Sequence, residues 1–163
     1  MRKSIIGLIL LCGSAFAEDV PIEGTVESKC VVTSDTSGVY GNPNPYTLDT
    51  APAQGGVHPI VRYDVIVADY YKALIEYPEA FSSSPSLDDT LTWDGVVLVN
   101  EHTDAAMSDY DSEKVTYNNV TEVTLDHAGS TWFRVENDVE YGVEKSFPAG
   151  TYTSIVTAEC IAL

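Results

Sequence analysis

Apolar and polar residues alternate along much of the chain, and a period of two is typical of β-strands. From Ile22 to Val32, alternate positions form an apolar face that includes Cys30. The positions between them are charged or polar. The same alternation recurs at 57–67, at 131–141 and in the final stretch 150–163. We expect a half-buried strand at each place, the last one running to the end of the chain.

Three further segments are predicted to be strands from the arrangement of their apolar residues. Residues 90–101 are apolar on both faces around Val96 to Val99, which predicts a central strand covered on both sides. Residues 114–126 predict another strand. Residues 69–78 fit both strand and helical spacing. We expect a long strand here, bent or broken near Asp69, with a short helix as the alternative.

The remaining segments predict connections. The stretch 34–56 is rich in Pro, Gly and Asn and predicts a long irregular loop. Residues 102–113 begin with an N-cap candidate, Thr103 or Asp104, and predict one helical turn. The count is about seven strands with little helix, which favours an all-β, antiparallel, immunoglobulin-like β-sandwich.

The first seventeen residues have the order of a secretory signal. Arg2 and Lys3 precede an apolar run, and Ala15-Phe16-Ala17 forms a cleavage site. The run is too short for a membrane span. Lipidation at Cys12 is the alternative, but the residue before it is bulky. We expect a cleaved signal, 1–17, a single domain, 18–163, and export to the exterior or surface of a bacterium.

Export leaves an acidic chain. Cleavage would remove two basic residues and leave 6 basic against 25 acidic ones, a net charge of −19. This charge repels nucleic acid and anionic lipid, so we expect neither as a partner. It is consistent with solubility in a salty exterior.

Two cysteines remain in the processed chain, Cys30 and Cys160, and both lie on apolar strand faces. In an exported protein such a pair predicts one disulfide, which would join the two terminal strands and close a loop of more than 100 residues. A thiol site and a bond between chains are the alternatives.

The two ends of the chain resemble chaperone–usher fimbrial pilins. The residues that match are Gly24, Val26 and Cys30 near the start, and Gly150 and Tyr152 near the end. The resemblance implies a pilin-like sandwich, completed by a strand from the next subunit, with a periplasmic chaperone and outer-membrane machinery as partners. The chain differs from the family in placing its second cysteine in the last strand. A self-complete sandwich, with residues 20–32 as its own first strand, is the alternative.

Candidate chemistry is sparse. The sequence contains no hydrolase elbow, Gly-rich phosphate loop or metalloprotease helix, so we expect no enzyme and no cofactor. Asp109, Asp111 and Glu113 are candidates for a calcium site. Trp93 and Trp132 would suit either a sugar-binding surface or a core.

We therefore expect a structural subunit of a bacterial surface filament that self-associates into a homo-oligomer or polymer. The residues expected to carry assembly are apolar positions near the two ends of the chain: Val20, Ile22, Val26, Tyr152 and Val156. The alternative is a secreted β-sandwich module that binds carbohydrate or calcium.

Overall fold

The computed structural model describes residues 23–24 and 29–163. They form an all-β sandwich of two antiparallel sheets. The strands are β1 (Cys30–Thr36), β2 (Gly41–Asn44), β3 (Thr47–Asp49), β4 (Ile60–Val65), β5 (Tyr71–Glu76), β6 (Leu91–His102), β7 (Val115–Tyr117), β8 (Val120–Thr124), β9 (Gly129–Tyr141) and β10 (Thr157–Ala162). One α-helix, α1 (Tyr110–Glu113), and two 3-10 turns, Pro52–Gln54 and Ala105–Asp109, complete it.

The first sheet is organised around the long strand β9. On one side β9 pairs with β6 from Thr131 to Tyr141, and on the other with β4 and then β3. β1 lies outside β4, and β2 outside β3. The second sheet has the order β10-β5-β8-β7. The expected all-β class is therefore confirmed, with ten strands rather than about seven.

In β9, the alternation of apolar and polar residues in the sequence matches the alternation of buried and more exposed side chains in the structure. Its inward side chains are buried, Phe133 and Val135 among them in the main hydrophobic core, and the intervening ones are half-buried or exposed. Phe133 meets the Tyr63 ring edge to face at 5.7 Å and stacks at 6.5 Å on Tyr110, the first residue of α1. The inward side chains of β9 are Thr131, Phe133, Val135, Asn137, Val139 and Tyr141.

One tyrosine ties the two sheets together through the core. Tyr63 on β4 is fully buried, and its hydroxyl lies 3.0 Å from the Leu74 carbonyl oxygen and 3.1 Å from that of Glu159. Those carbonyls belong to β5 and β10 of the other sheet. Burial raises the pKa of this phenol, so the hydroxyl stays protonated as a hydrogen-bond donor.

Two ambiguous segments follow their expected structures. Residues 71–76 form the strand β5, and the break before it falls at Asp69, whose φ of 67° lies in the left-handed region. The predicted helical turn is a 3-10 turn continued by α1. Of the two cap candidates, Asp104 is the cap, since its carboxylate accepts from the Ala106 amide at 3.0 Å.

The prediction of a central strand at 90–101 is wrong. β6 pairs with β9 alone among the described strands and is an edge strand. Val97 points into the core, whereas Val96 is 39% exposed on the outer face. The free side of β6 is covered locally instead, because the Asp111 carboxylate accepts from the Val99 amide and Lys114 donates to the Val97 carbonyl.

Four other predicted segments also differ in their bounds. The expected strand at 114–126 is a hairpin, β7 and β8, turning at Asn118 with a φ of 52°. The expected loop 34–56 holds the end of β1 together with β2 and β3. The expected final strand 150–163 is regular only from Thr157 to Ala162. In the predicted strand Ile22–Val32, Glu23 and Gly24 are exposed outside any strand and β1 begins at Cys30; Ile22 and residues 25–28 lie outside the described residues.

Candidate functional site

The two terminal strands lie at the same side of the sandwich, one in each sheet. The disulfide between Cys30 on β1 and Cys160 on β10 is present, with a Cα–Cα distance of 6.3 Å. The intramolecular disulfide prediction is thus confirmed. The bond joins opposite sheets rather than hydrogen-bonded neighbours, because β1 pairs with β4 and β10 pairs with β5.

This arrangement places an edge strand of each sheet on the same side of the sandwich. Within the described residues, β1 and β10 each pair with a single strand, so the outer edge of each has no strand beside it. We call the gap between these two edges the seam. An unpaired edge presents backbone N–H and C=O groups that can pair with an added strand.

Beyond the disulfide the seam widens into a groove of about 820 Å³. Its almost fully buried lining is mixed: Leu48 and Val61 are apolar, and Thr50 and Asn137 are polar. One wall is the stretch 34–40 and the other is the stretch 147–156. Tyr152 and Val156, two of the predicted assembly residues, line the second wall. The other three, Val20, Ile22 and Val26, lie outside the described residues.

A small polar cluster holds the two walls together. The Tyr40 hydroxyl donates to the Asn137 side-chain oxygen at 2.6 Å and lies 2.7 Å from the Ser154 hydroxyl, which therefore acts as the donor of that pair. The Asn137 amide nitrogen donates in turn to the Asp94 carbonyl at 2.8 Å. Burial raises the pKa of Tyr40, which keeps its proton in place. Sequence reasoning missed this cluster, although an asparagine at an inward position of β9 was its signal.

The wall 147–156 is held by aromatic packing instead of a strand ladder. Phe81 is the centre of this cluster and meets Tyr152 at 5.1 Å and Trp93 at 4.8 Å between ring centroids. A short antiparallel bridge between Ser83 and Thr153 fixes the same segment. These contacts anchor the segment, although it forms no regular strand before Thr157. The cluster comprises Tyr40, Phe81, Trp93, Tyr141, Phe147 and Tyr152.

The candidate calcium residues serve other contacts. Asp111 accepts from the Lys114 ammonium at 3.0 Å and from the β6 backbone, and Asp109 and Glu113 are exposed. Among the residues that the structure describes, no group of three or more His, Cys, Asp or Glu side chains is arranged to hold a metal ion.

Trp132 lies on the outer face of the first sheet, as its strand position predicts. Its indole N–H donates to the Asp35 carboxylate at 3.2 Å, and the Arg62 guanidinium lies 4.9 Å from the ring centroid. Arg62 is itself fixed by Asp64 at 2.7 Å. One face of the indole is therefore occupied by an ordered cation.

The opposite end of the same face is acidic. Asp138 on β9 lies directly across from Asp94 on β6 and from Asp49 on β3. Burial, together with the neighbouring charges of Asp94, Asp49 and Glu140, raises the pKa of the Asp138 carboxyl. Like charges directly opposite each other destabilise a sheet.

Comparisons with known proteins give no relative. No family model, no curated protein and no solved structure matches the chain. In the described part of the chain, no helix has the length and apolar character needed to cross a membrane.

Proposed function

We propose that the protein is a structural subunit of a bacterial extracellular filament, and that the N-terminal segment of one copy adds as a strand to the seam of the next. The observation that carries this proposal is the seam itself. It combines two strand edges that have no further described strand beside them, joined by a disulfide, with a groove between them that contains both apolar and polar side chains.

The dimensions of segment and seam agree. Residues 20–26, if extended, would span about 23 Å at 3.3 Å per residue. β1, which forms one side of the seam, also has seven residues. In an extended segment Val20, Ile22 and Val26 share one face, which would pack against the apolar part of the groove, Leu48 and Val61. Backbone hydrogen bonds to the strand edge would supply affinity, and alternate side-chain positions would set the register.

The chemistry of the chain supports an exported subunit. The first seventeen residues have a secretory pattern, and a structural disulfide suits an oxidising compartment. In this proposal the protein works outside a bacterium or on its surface. The resemblance of the chain ends to chaperone–usher pilins supports a periplasmic chaperone and an outer-membrane assembly machine as its partners. The protein would then act by assembly rather than by catalysis.

The second candidate is a secreted binding module. The groove volume lies in the range of small-ligand sites, and Tyr40, Ser154 and Tyr152 offer hydroxyls and a ring along its wall. A carbohydrate is the ligand class that this lining would favour. Trp132 supports this candidate less well, because Arg62 already occupies one face of its ring.

The test separates assembly from folding. In the mature chain, 18–163, Val26→Asp places a charge on the apolar face of the segment, whereas Thr25→Asp places the same charge on its other face. Electron microscopy and sedimentation should show fibres for the mature chain and for Thr25→Asp, and monomers for Val26→Asp. Thermal unfolding should be equal in all three. Deleting Glu18 to Thr25 should likewise abolish fibres and leave a folded protein.

Fibres that persist after the deletion would locate the contact elsewhere. A mature chain that stays monomeric at high concentration and is absent from surface fibres would contradict the filament proposal and favour the binding module.

A further inference from the structure

A second apolar surface lies at the end of the sandwich where β1 begins and β10 ends. A recess of about 270 Å³ opens there, and its apolar rim is formed by Val67, Tyr70 and Leu163, with Lys29 beside them. We call these three apolar side chains the pole patch. They are 41%, 63% and 66% exposed, respectively. A contiguous group of large exposed apolar side chains is typical of an interaction surface.

The backbone of the pole patch is fixed. The Leu163 amide donates to the Tyr70 carbonyl at 2.9 Å, and the Ile66 amide donates to the Lys29 carbonyl at 2.8 Å. The turn between β4 and β5, the end of β10 and the start of β1 are thus tied together. The backbone beneath the pole patch is therefore held in place by hydrogen bonds of the fold.

We propose that the pole patch docks against the neighbouring copy of this chain, at the end of the seam that receives the N-terminal segment. This inference rests on the proposed function and adds a body-to-body contact to it. It follows from where the segment joins the fold. Val26 precedes Lys29 by three residues, which span about 11 Å at most. If Val26 enters a neighbour's groove, the body of that neighbour lies within this distance of Lys29.

The contact that results has a definite symmetry and a limited size. The pole patch of one copy meets the seam end of another, so the contact is heterologous and repeats along a filament. Three side chains bury far less than the roughly 1,000 Å² that a stable interface needs, so the patch acts together with the segment. Lys29 also faces a strongly acidic partner, since every copy carries an excess of carboxylates.

The test uses the mature chain with Val67→Lys, Tyr70→Lys, or Val115→Lys as the matched control. Val115 is 59% exposed on β7, at the opposite edge of the second sheet from β10. All three substitutions change the net charge equally and towards zero, so added repulsion cannot explain a loss of assembly. Thermal unfolding identifies any variant that fails to fold. Tyr70→Lys, at a more exposed position, stands in for Val67→Lys in that case.

We expect the protein concentration needed for fibre formation to rise at least tenfold for Val67→Lys and Tyr70→Lys, and to change less than twofold for Val115→Lys. A second readout is binding of a synthetic peptide, residues 18–28, to full-length mature chain kept monomeric by Val26→Asp. Patch substitutions should leave this binding unchanged, because the patch belongs to the donor copy.

If the mature chain forms fibres and both patch variants form them at the same protein concentration, the pole-patch contact is overturned and the filament proposal stays intact. Loss of peptide binding in the patch variants would also overturn it, since the patch would then bind the segment itself. A wild-type chain that neither forms fibres nor binds the peptide would refute both proposals.

Discussion

The disulfide should be the largest single contribution to stability that one perturbation can remove. It closes a loop with a sequence separation of 130 residues. In the chain-entropy account, a loop of this length is worth about 5 kcal/mol at 25 °C. The bond also joins the edge strands of opposite sheets, so its loss frees β10, which then depends on β5 and the Tyr63 hydroxyl. We expect the reduced protein to be less stable by roughly 4–5 kcal/mol.

The assay is urea unfolding of the mature chain, followed by tryptophan fluorescence, with and without reductant. With a slope of about 2 kcal/mol per molar urea, the midpoint should fall by about 2 M on reduction. The double variant Cys30→Ala/Cys160→Ala should show the low midpoint in both conditions, which controls for effects of the reductant itself. Oxidised and reduced midpoints within about 0.3 M of each other would refute the reasoning.

Three further predictions concern single side chains. Tyr63→Phe removes the hydroxyl that bridges the sheets and should cost about 1–2 kcal/mol in urea unfolding, since the carbonyls of β5 and β10 lose a buried donor; an unchanged midpoint would contradict that role. Asp138 is destabilising when ionised, because its folded-state pKa is raised, so the penalty is absent below its ordinary pKa and fully present above the raised one. Asp138→Asn should therefore stabilise the protein at pH 7 by roughly 0.5 kcal/mol, with the gain vanishing as the pH falls towards 4; a gain that persists at low pH would exclude repulsion as its cause. Tyr40→Phe should loosen the wall 147–156, seen as faster amide hydrogen exchange there and not in β9, while equal exchange would show that the aromatic cluster alone holds the wall.

Local alternation predicted much of the fold, but not the way its strands combine. The strands predicted at 57–67 and 131–141 are present as β4 and β9, although β4 covers only Ile60–Val65 and β9 begins at Gly129. They could be predicted because each has one apolar face against the core. β6 was misread because its apolar residues lie on both faces, a pattern shared by central strands and by edge strands that other chain segments cover. The final strand was predicted to begin at residue 150, but it begins at Thr157. Residues 150–156 alternate like a strand, yet aromatic rings, a single bridge and the Tyr40–Ser154 hydrogen bond hold them instead of a strand ladder.

Some features of the candidate site could be predicted from the sequence and others could not. The cysteine pair could be predicted, because a secretory pattern at the start of the chain and two cysteines on apolar strand faces favour a disulfide. The seam could not, because it depends on which strands lie at the edges of the two sheets. The polar cluster of Tyr40, Asn137 and Ser154 brings together residues as far as 114 positions apart. Only the outline of that cluster, an asparagine where β9 demands an apolar residue, is visible in the sequence.

The most direct test of the filament proposal is to map where the N-terminal segment of one copy binds on another copy. The proposal places that binding at the seam. Isotope-labelled mature chain carrying Val26→Asp is titrated with the 18–28 peptide, and its amide resonances are followed by NMR. We predict saturable one-to-one binding, with shifts concentrated in β1, in β10 and in the groove wall 147–156. A matched peptide with the Val26→Asp change should bind at least tenfold more weakly. Absence of binding at millimolar peptide, or shifts confined to surfaces away from the seam, would contradict the account.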